Sequence, residues 1–377
     1  MIARTPAIIE DALWAAARAR LPAALLGGAA LTAAVIDRSR RYTSDRAALR
    51  APGHGAAAAA DLAARALFFT VADAGKLPLV LAELGPDRAP AGWLTGEALT
   101  VLDVGAGCGA MTLGLIAHLA DRGWRGRLRL TLCDRDGDAL AIARAAITEV
   151  AAALGVACEL TVAELDVTAR LPAGAFDLVV AGTVVNELAD GAPLVRRMLA
   201  ALAPAGVAIV VEPALRTTTR ALHAVRDAVI ADGVATVLAP CTRRAAPCPA
   251  LADDRDWCHD HRPAELPPRA RQLATVTGLR DGDATFTFLA LCRPAAAPPP
   301  LAAARVVDDP HAQKGKVELT ACSADGWVAV RLLRRHRAPA NRAVERAHRG
   351  DLLVLPRPAT DGALDLGPDD AVTPLAP

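Results

Sequence analysis

From residue 99 onward, short apolar runs rich in β-branched residues alternate with segments of helical periodicity, and this alternation limits the fold more than any other feature. LTVLDV, LRLTLCD, CELTVAELD, FDLVVAG and GVAIVVEP are each long enough for one buried strand. Between them lie MTLGLIAHLA, GDALAIARAAITEVAAAL and APLVRRMLAAL, where apolar residues return every three or four positions. Strands separated by helices pair in parallel, and the helices cover both faces of the sheet. The chain is therefore predicted to be α/β, with a doubly wound, mostly parallel seven-stranded sheet. GVATVLAP (233–240) and ATFTFLALC (284–292) supply further strands, and they bracket the helical segment AELPPRARQLATVTGL.

Around this core the chain divides by texture. Residues 1–95 have helical spacing, broken at Pro22, Gly27-Gly28 and Pro52-Gly53, with no strand-like run and no chemical motif. They are expected to form an N-terminal helical domain. The main domain runs over 96–292 with a Cys-rich insertion at 240–262, followed by a stiff proline-rich linker at 293–304. A small basic unit at 305–356 contains the strand-like GKVELTAC and GWVAVRLLR, and the tail 357–377 shows no periodicity and is expected to be disordered. The longest uncharged apolar run, Leu21 to Ile36, is shorter than the ~20 residues that span a bilayer. The start MIARTPAIIEDALW lacks the apolar core of a secretory signal. A cytoplasmic, monomeric protein with no membrane partner is expected.

LTVLDVGAGCGAMTLGL is a strand running through Gly105, Gly107 and Gly109 into a helix. Glycines suit a sharp turn whose backbone must approach a ligand closely. Asp103 ends the first strand. Asp134 ends the second, where a carboxylate can accept from two ribose hydroxyls. Asp166 follows the third strand and suits a contact to an adenine amino group, while Asp177 opens the fourth. This order resembles the class I S-adenosylmethionine-dependent methyltransferases, in which such acidic residues hold ribose and adenine. The resemblance implies S-adenosylmethionine at Asp103, Gly105, Gly107, Gly109, Asp134 and Asp166. After the fourth strand the loop reads AGTVVNELAD, not the Asn-Pro-Pro-aromatic or Pro-Cys motif of base methyltransferases. Asn186 and Glu187 are the polar groups placed to orient an acceptor.

Eight cysteines in 377 residues are too few for a disulfide scaffold, which leaves thiols for metal or chemistry. Three of them, Cys241, Cys248 and Cys258, sit in the polar stretch PCTRRAAPCPALADDRDWCHDH, with spacing C-x6-C-x9-C. That spacing matches neither zinc fingers nor common ferredoxins, yet three thiols in a polar loop call for a soft metal and a fourth ligand. His259, His261, Cys292 and Cys322 are the candidates. The methyltransferase core, this stretch, KGKVELTACSADG and HRGD together resemble the ribosomal small-subunit Rsm-twenty-two (Rsm22) family, bacterial relatives of the mitochondrial methyltransferase-like protein seventeen. The resemblance extends over residues 95–352. It implies a 4Fe–4S cluster on Cys241, Cys248, Cys258 and Cys322, with zinc as the physical alternative. His259 and His261 then read as residues around the cluster or facing RNA, and Cys292 as core.

The net charge of +1 gives no global case for nucleic acid, so any such case must be local. VRLLRRHRAPANRAVERAHRGD supplies one, with Arg331, Arg334, Arg335, Arg337, Arg342, Arg346 and Arg349. The last three are expected to share a helix face. Such a patch attracts phosphate. With the family resemblance, it implies the small ribosomal subunit and its rRNA as partners, in rRNA methylation, subunit assembly or both. A non-catalytic RNA-binding assembly protein and a small-molecule methyltransferase with a structural metal remain as alternatives.

Overall fold

The computed structural model describes residues 1–43, 55–85, 87–244, 246–280 and 282–375. The Pro52-Gly53 break, Ala245 of the insertion and the last two residues of the tail lie outside the described residues. A two-residue strand β1 (Ala3–Arg4) leads into α1 (Ala7–Arg18) and α2 (Gly28–Thr43). A continuous helical run follows: α3 (Gly55–Ala64), a π-helical turn (Arg65–Phe69), α4 (Thr70–Ala74) and α5 (Lys76–Glu83). This run is long and apolar enough to cross a membrane. Here it is a core element, with Leu62, Leu67, Phe68, Val71, Leu77 and Val80 all buried.

The alternating part forms β2 (Ala98–Val104), α6 (Ala110–Asp121), β3 (Arg127–Asp134), α7 (Gly137–Ala153), β4 (Ala157–Glu164) and β5 (Phe176–Gly182). It continues with α8 (Ala192–Ala200), β6 (Leu202–Pro213), α9 (Arg216–Ala231) and β7 (Thr236–Ala239). It closes with β8 (Asp260–Glu265), α10 (Pro268–Thr277) and β9 (Asp283–Cys292). The sheet order is β4-β3-β2-β5-β6-β9-β8-β1, with β7 also on β9. Strands β2 to β6 are parallel and β9 is antiparallel to β6. Both faces are covered, so each strand is apolar on both sides. Along β2, Val101 packs with α1, α6 and α7, and its neighbour Leu102 packs with α8 and α9.

The sheet has nine strands among the described residues, where the sequence reading expected seven. One extra strand arises because the cysteine insertion splits the outer neighbour of β9. β7 pairs with its end (Thr236↔Cys292) and β8 with its beginning (Asp260↔Phe286), and residues 240–259 leave the sheet between them. The other is β1, which adds to β8 through Ala3↔Ala264 and Arg4↔Glu265. The sequence DHRPAE hid β8, being polar and carrying Pro263, and two residues are too few for β1 to show a period.

The C-terminal unit is a second sheet. Its strands are β10 (Ala304–Val306), β11 (His311–Gln313), β12 (Lys316–Ser323), β13 (Gly326–Leu333), β14 (Leu352–Val354), β15 (Ala363–Leu366) and β16 (Thr373–Leu375), with one helical turn α11 (Ala343–Arg346) before β14. The expectation of a disordered tail is corrected. β15 pairs parallel with β13 and buries Leu364 and Leu366, and β16 pairs with β14. Strands of three and four residues are too short for periodicity to reveal. This unit is fastened to the rest by Arg305, whose guanidinium binds Glu83 of α5 at 2.9 and 3.0 Å and Asp260 of β8 at 2.6 and 2.7 Å.

Candidate cofactor cleft and cysteine cavity

A cleft of about 1550 Å³ opens at the C-terminal ends of β2, β3, β4 and β5, where ligands of doubly wound sheets bind. Its floor is the β2–α6 loop. Gly105 has φ +64°, and a Cβ there would lie 2.5 Å from Val184 Cγ2, so the loop packs directly on the segment after β5. Gly107 has φ +51° and faces open space, with no atom within 4 Å of where a Cβ would be. Its N–H donates to Asp134 Oδ2 at 2.8 Å. Gly109 caps α6, against Ile147 of α7.

The predicted carboxylates separate into two environments. Asp134 and Asp166 line the cleft. Asp134 Oδ1 also accepts from Asp136 N at 2.9 Å, and Asp166 Oδ1 accepts from Thr168 N and Oγ1 at 2.8 and 2.6 Å. The Thr168 hydrogen bonds hold the Asp166 carboxyl below its usual range. Asp103 lies beneath the loop, 1% exposed, with Oδ2 accepting from Thr112 Oγ1 at 2.7 Å and Oδ1 without a partner. Burial pushes its carboxyl up to about 7, against the opposing pull of Thr112. It ties the end of β2 to α6 and does not line the cleft. Asp177 likewise serves the fold, accepting from Thr100 N and Oγ1 at 2.8 and 2.7 Å.

Asn186 and Glu187 also part company. The Asn186 amide donates to the Glu212 carboxylate, which accepts from Val184 N and Val185 N at 3.1 and 2.8 Å. Burial pushes Glu212 up to about 7. Asn186 is thus committed to the β5 loop, whereas Glu187 lines the cleft. Its Oε1 lies 3.7 Å from Arg38 Nη2. Burial raises the Glu187 pKa, with Arg38 opposing.

The sequence reading found no chemistry in residues 1–95, and the structure corrects this. Arg38, Tyr42, Asp61, Arg65, Phe69 and Asp73 form one wall of the cleft. Asp61 gathers Arg38, Arg41 and Arg65 at 3.3, 2.5 and 3.0 Å. Arg65 also binds Asp136, the residue that caps α7. Glu164, at the end of β4, is a further cleft carboxylate that was missed. Its position at a strand end was legible, since AELD offers two acidic residues and only the second was chosen. No local pattern marks the arginine wall, because α2 and α3 meet only in the folded chain.

Cys241, Cys248, Cys258 and Cys322 line a second, small cavity together with Arg226 and Trp327. Three come from the insertion and the fourth from β12, so the four-cysteine set expected from the resemblance is brought together. Helix α9 holds the insertion in place. Arg220 Nη1 lies 2.6, 2.6 and 2.7 Å from the carbonyls of Ala250, Asp253 and Asp256. Asp227 accepts from Cys248 N at 2.9 Å, and Arg226 Nη1 donates to Ala246 O at 3.0 Å. Thr242 Oγ1 donates to Cys322 O at 3.1 Å, tying the loop to the second sheet. Burial, then the neighbouring thiols, push Cys248 up to about 11 and Cys322 up to about 12. Among the described residues, no group of three or more His, Cys, Asp or Glu side chains is arranged to hold a metal ion. His259 stacks on Trp257 at 4.0 Å and His261 pairs with Asp283 at 3.2 Å, both outside the cavity lining. Cys292 is fully buried on β9.

Of the predicted RNA-binding arginines, Arg331, Arg337 and Arg349 pair with Glu318, Glu345 and Asp308. Arg334, Arg335, Arg342 and Arg346 are exposed and form no ion pair among the described residues. The expected shared helix face for Arg342, Arg346 and Arg349 does not form. α11 is one turn long, with Arg342 at its start and Arg349 beyond it, because the chain turns away at Ala347 into the β14 strand.

A parallel sheet ending in a glycine loop, with acidic residues at successive strand ends, defines a methyltransferase-type fold. Residues 95–354 match the family of the mitochondrial small ribosomal subunit protein Rsm22, and the chain belongs to that family. No curated protein matches the chain. Solved structures similar in fold include a putative methyltransferase from Thermoplasma acidophilum, at 16% identity and TM-score 0.35, covering 52% of this chain and 68% of that one. The magnesium protoporphyrin IX methyltransferase ChlM of Synechocystis with bound SAM is 15% identical, with TM-score 0.35, covering 71% of this chain and 100% of that one. The N-methyltransferase NodS of Bradyrhizobium japonicum, in complex with S-adenosyl-L-homocysteine, is 18% identical, with TM-score 0.32, covering 52% and 78%.

Proposed function

We propose that this chain is an S-adenosylmethionine-binding factor of the small ribosomal subunit, clasped by an iron–sulfur cluster and acting on rRNA methylation or subunit assembly. The observation that carries the cofactor reading is Gly107, whose left-handed backbone faces open cleft space beside Asp134. When bound, S-adenosylmethionine supplies an electrophilic methyl group. Asp134, Glu164 and Asp166 are the carboxylates at the strand ends that can accept from its hydroxyl and amino groups. Glu187, beside Arg38, lines the cleft at the position where an acceptor would be oriented, and its contribution would be positioning.

The cluster reading is supported by four soft thiols on one cavity, with Arg226 to offset their charge. Zinc, the physical alternative, would need all four sulfurs about 2.3 Å from one centre. A metal group on these four thiols is common to both readings. Such a group would join the insertion to β12 and so close a long loop.

One observation favours a non-catalytic assembly role: the Asn186 amide is spent on Glu212, and Asn186 does not line the cleft. Mass spectrometry of small-subunit rRNA nucleosides decides between the two. Cells carrying only a Gly105→Arg, Gly107→Arg chain should lack one methyl mark if the protein transfers methyl groups. An unchanged methylation profile, with the variant still on small-subunit particles, means an assembly factor. Absence of the wild-type chain from those particles would remove the ribosomal reading altogether.

A further inference from the structure

His223 sits on α9 between Arg220 and Arg226, facing the cysteine loop and away from the cofactor cleft. It is 4% exposed. Its Nε2 lies 3.5 Å from Cys258 Sγ, and its Nδ1 has no hydrogen-bond partner. Once the Cys258 thiol is ionised as a ligand, these facts select one tautomer. Nε2 carries the hydrogen and donates it to sulfur, while Nδ1 keeps a lone pair. The other tautomer would bury an unpaired N–H, which is the rarer and costlier defect.

We propose that His223 is a positioning residue for the metal group of the cysteine cavity, acting through its Nε2–H as a donor to the Cys258 thiolate. This rests on the iron–sulfur reading given above. A hydrogen bond to a ligand sulfur draws negative charge from it and favours the more reduced state of a cluster. The residue therefore raises the reduction potential and softens the bond between iron and the Cys258 sulfur. Arg226, three residues further along the same helix and also on the cavity, acts in the same direction through its charge.

The test uses the full chain, reconstituted anaerobically with iron and sulfide. Gln and Met match in size and differ in the N–H, so His223→Gln and His223→Met isolate the donor. Iron and acid-labile sulfide are measured first on the wild type. A wild type that takes up neither defeats the cluster reading itself, and this inference with it. With a loaded wild type, H223Q is expected to keep its reduction potential and its Fe–S(Cys) stretching frequency in resonance Raman spectra. H223M is expected to shift to a more negative potential and a higher stretching frequency. Loading of H223Q but not H223M also supports the donor role. Identical potentials and spectra for the two variants overturn it. Loss of the cluster from both overturns it too, because the ring would then be a ligand or a packing element.

Discussion

Replacing Arg305 by Met should be among the most damaging single changes to the joint between the two sheets. The guanidinium makes four contacts of 2.6 to 3.0 Å to Glu83 and Asp260. Arg88 adds a fifth contact to Glu83, at 3.2 Å. All four side chains are between 3% and 7% exposed, so water cannot take over. Two carboxylates face two guanidiniums, and the buried Arg262 acts on both carboxylates from nearby. Burial raises the Glu83 pKa, but Arg305, Arg88 and Arg262 together outweigh it and leave it below its ordinary value, whereas burial keeps Asp260 above its own. Removing Arg305 strands a buried negative charge that Arg262 only partly offsets, at a cost of about 3–5 kcal/mol. With a urea m-value of about 3 kcal/mol per M, the midpoint falls by roughly 1–1.7 M. Without the cation both carboxylates take up protons more readily, so Glu83 rises above its unfolded value and Asp260, already raised, climbs further. The deficit should then be smallest at low pH and grow as pH rises through the folded value. Arg305→Lys keeps the charge but loses the fork and should fall between. Adding Asp260→Asn to Arg305→Met should recover part of the loss, because the stranded charge goes with it. A loss under about 1 kcal/mol for Arg305→Met, or strict additivity in the double variant, refutes the reasoning.

Gly105→Ala and Gly107→Ala should differ, although both sit at positive φ. The first drives a methyl group into Val184 and should cost clearly more than the ~1 kcal/mol of backbone strain expected for the second, as read by urea midpoints; equal costs would contradict the close approach. In calorimetric titration, Gly107→Ala should instead weaken S-adenosylmethionine binding, since its methyl group would project into open space. Asp103 gains a proton on folding, its carboxyl rising to about 7, so its contribution is full below about pH 4 and is lost as pH climbs to about 7. Asp103→Asn should flatten the wild-type stability slope across that window, leaving the share due to Glu212, and an unaltered slope would count against a buried, protonated Asp103. Neutralising Arg334, Arg335, Arg342 and Arg346 together should lower the salt slope of rRNA binding by roughly 3, at about 0.7–0.9 per phosphate contact; an unchanged slope places the RNA elsewhere.

Much of the sheet was legible because β-branched runs and helical spacing are local signals, and β2 to β6 carry both. The glycine loop was legible for the same reason, with its turn residues adjacent in the chain. What stayed hidden depends on long-range pairing. β1 and β8 acquire strand geometry only by adding to β9 and to each other, more than 250 residues apart in sequence. The cleft wall is a second case. Arg38, Asp61 and Arg65 look like ordinary surface charges on amphipathic helices until α2 and α3 fold together over the β3–α7 turn. Asn186 shows the limit of reading a loop by analogy. Its place after β5 is where an acceptor-orienting group belongs, but the buried Glu212 on the next strand takes its amide, and nothing near residue 186 announces that partner.

The cysteine loop is not an appendage to the methyltransferase fold, because one helix serves both. On one side of α9, Leu222 and Val225 pack with Val185, the residue that seats the loop after β5 beneath the cleft. A Cβ on Gly191 would meet both Val185 and Val225, at 2.3 and 3.3 Å, so these surfaces are already in tight contact. On the other side, Arg220, His223, Arg226 and Asp227 grip the insertion by its carbonyls, one amide and one sulfur. Helical geometry puts these two sets on different faces of a single rigid rod. A loop of twenty residues cut into the edge of the sheet would otherwise be free to fray, since its own backbone forms little regular structure between β7 and β8. Its order is borrowed from α9, and α9 is itself fixed by the core beneath the cleft. The cysteine cavity is therefore seated on the same element that shapes the floor of the β5 loop, and the fastening of the C-terminal sheet through Cys322 and Thr242 reaches the cleft by that route.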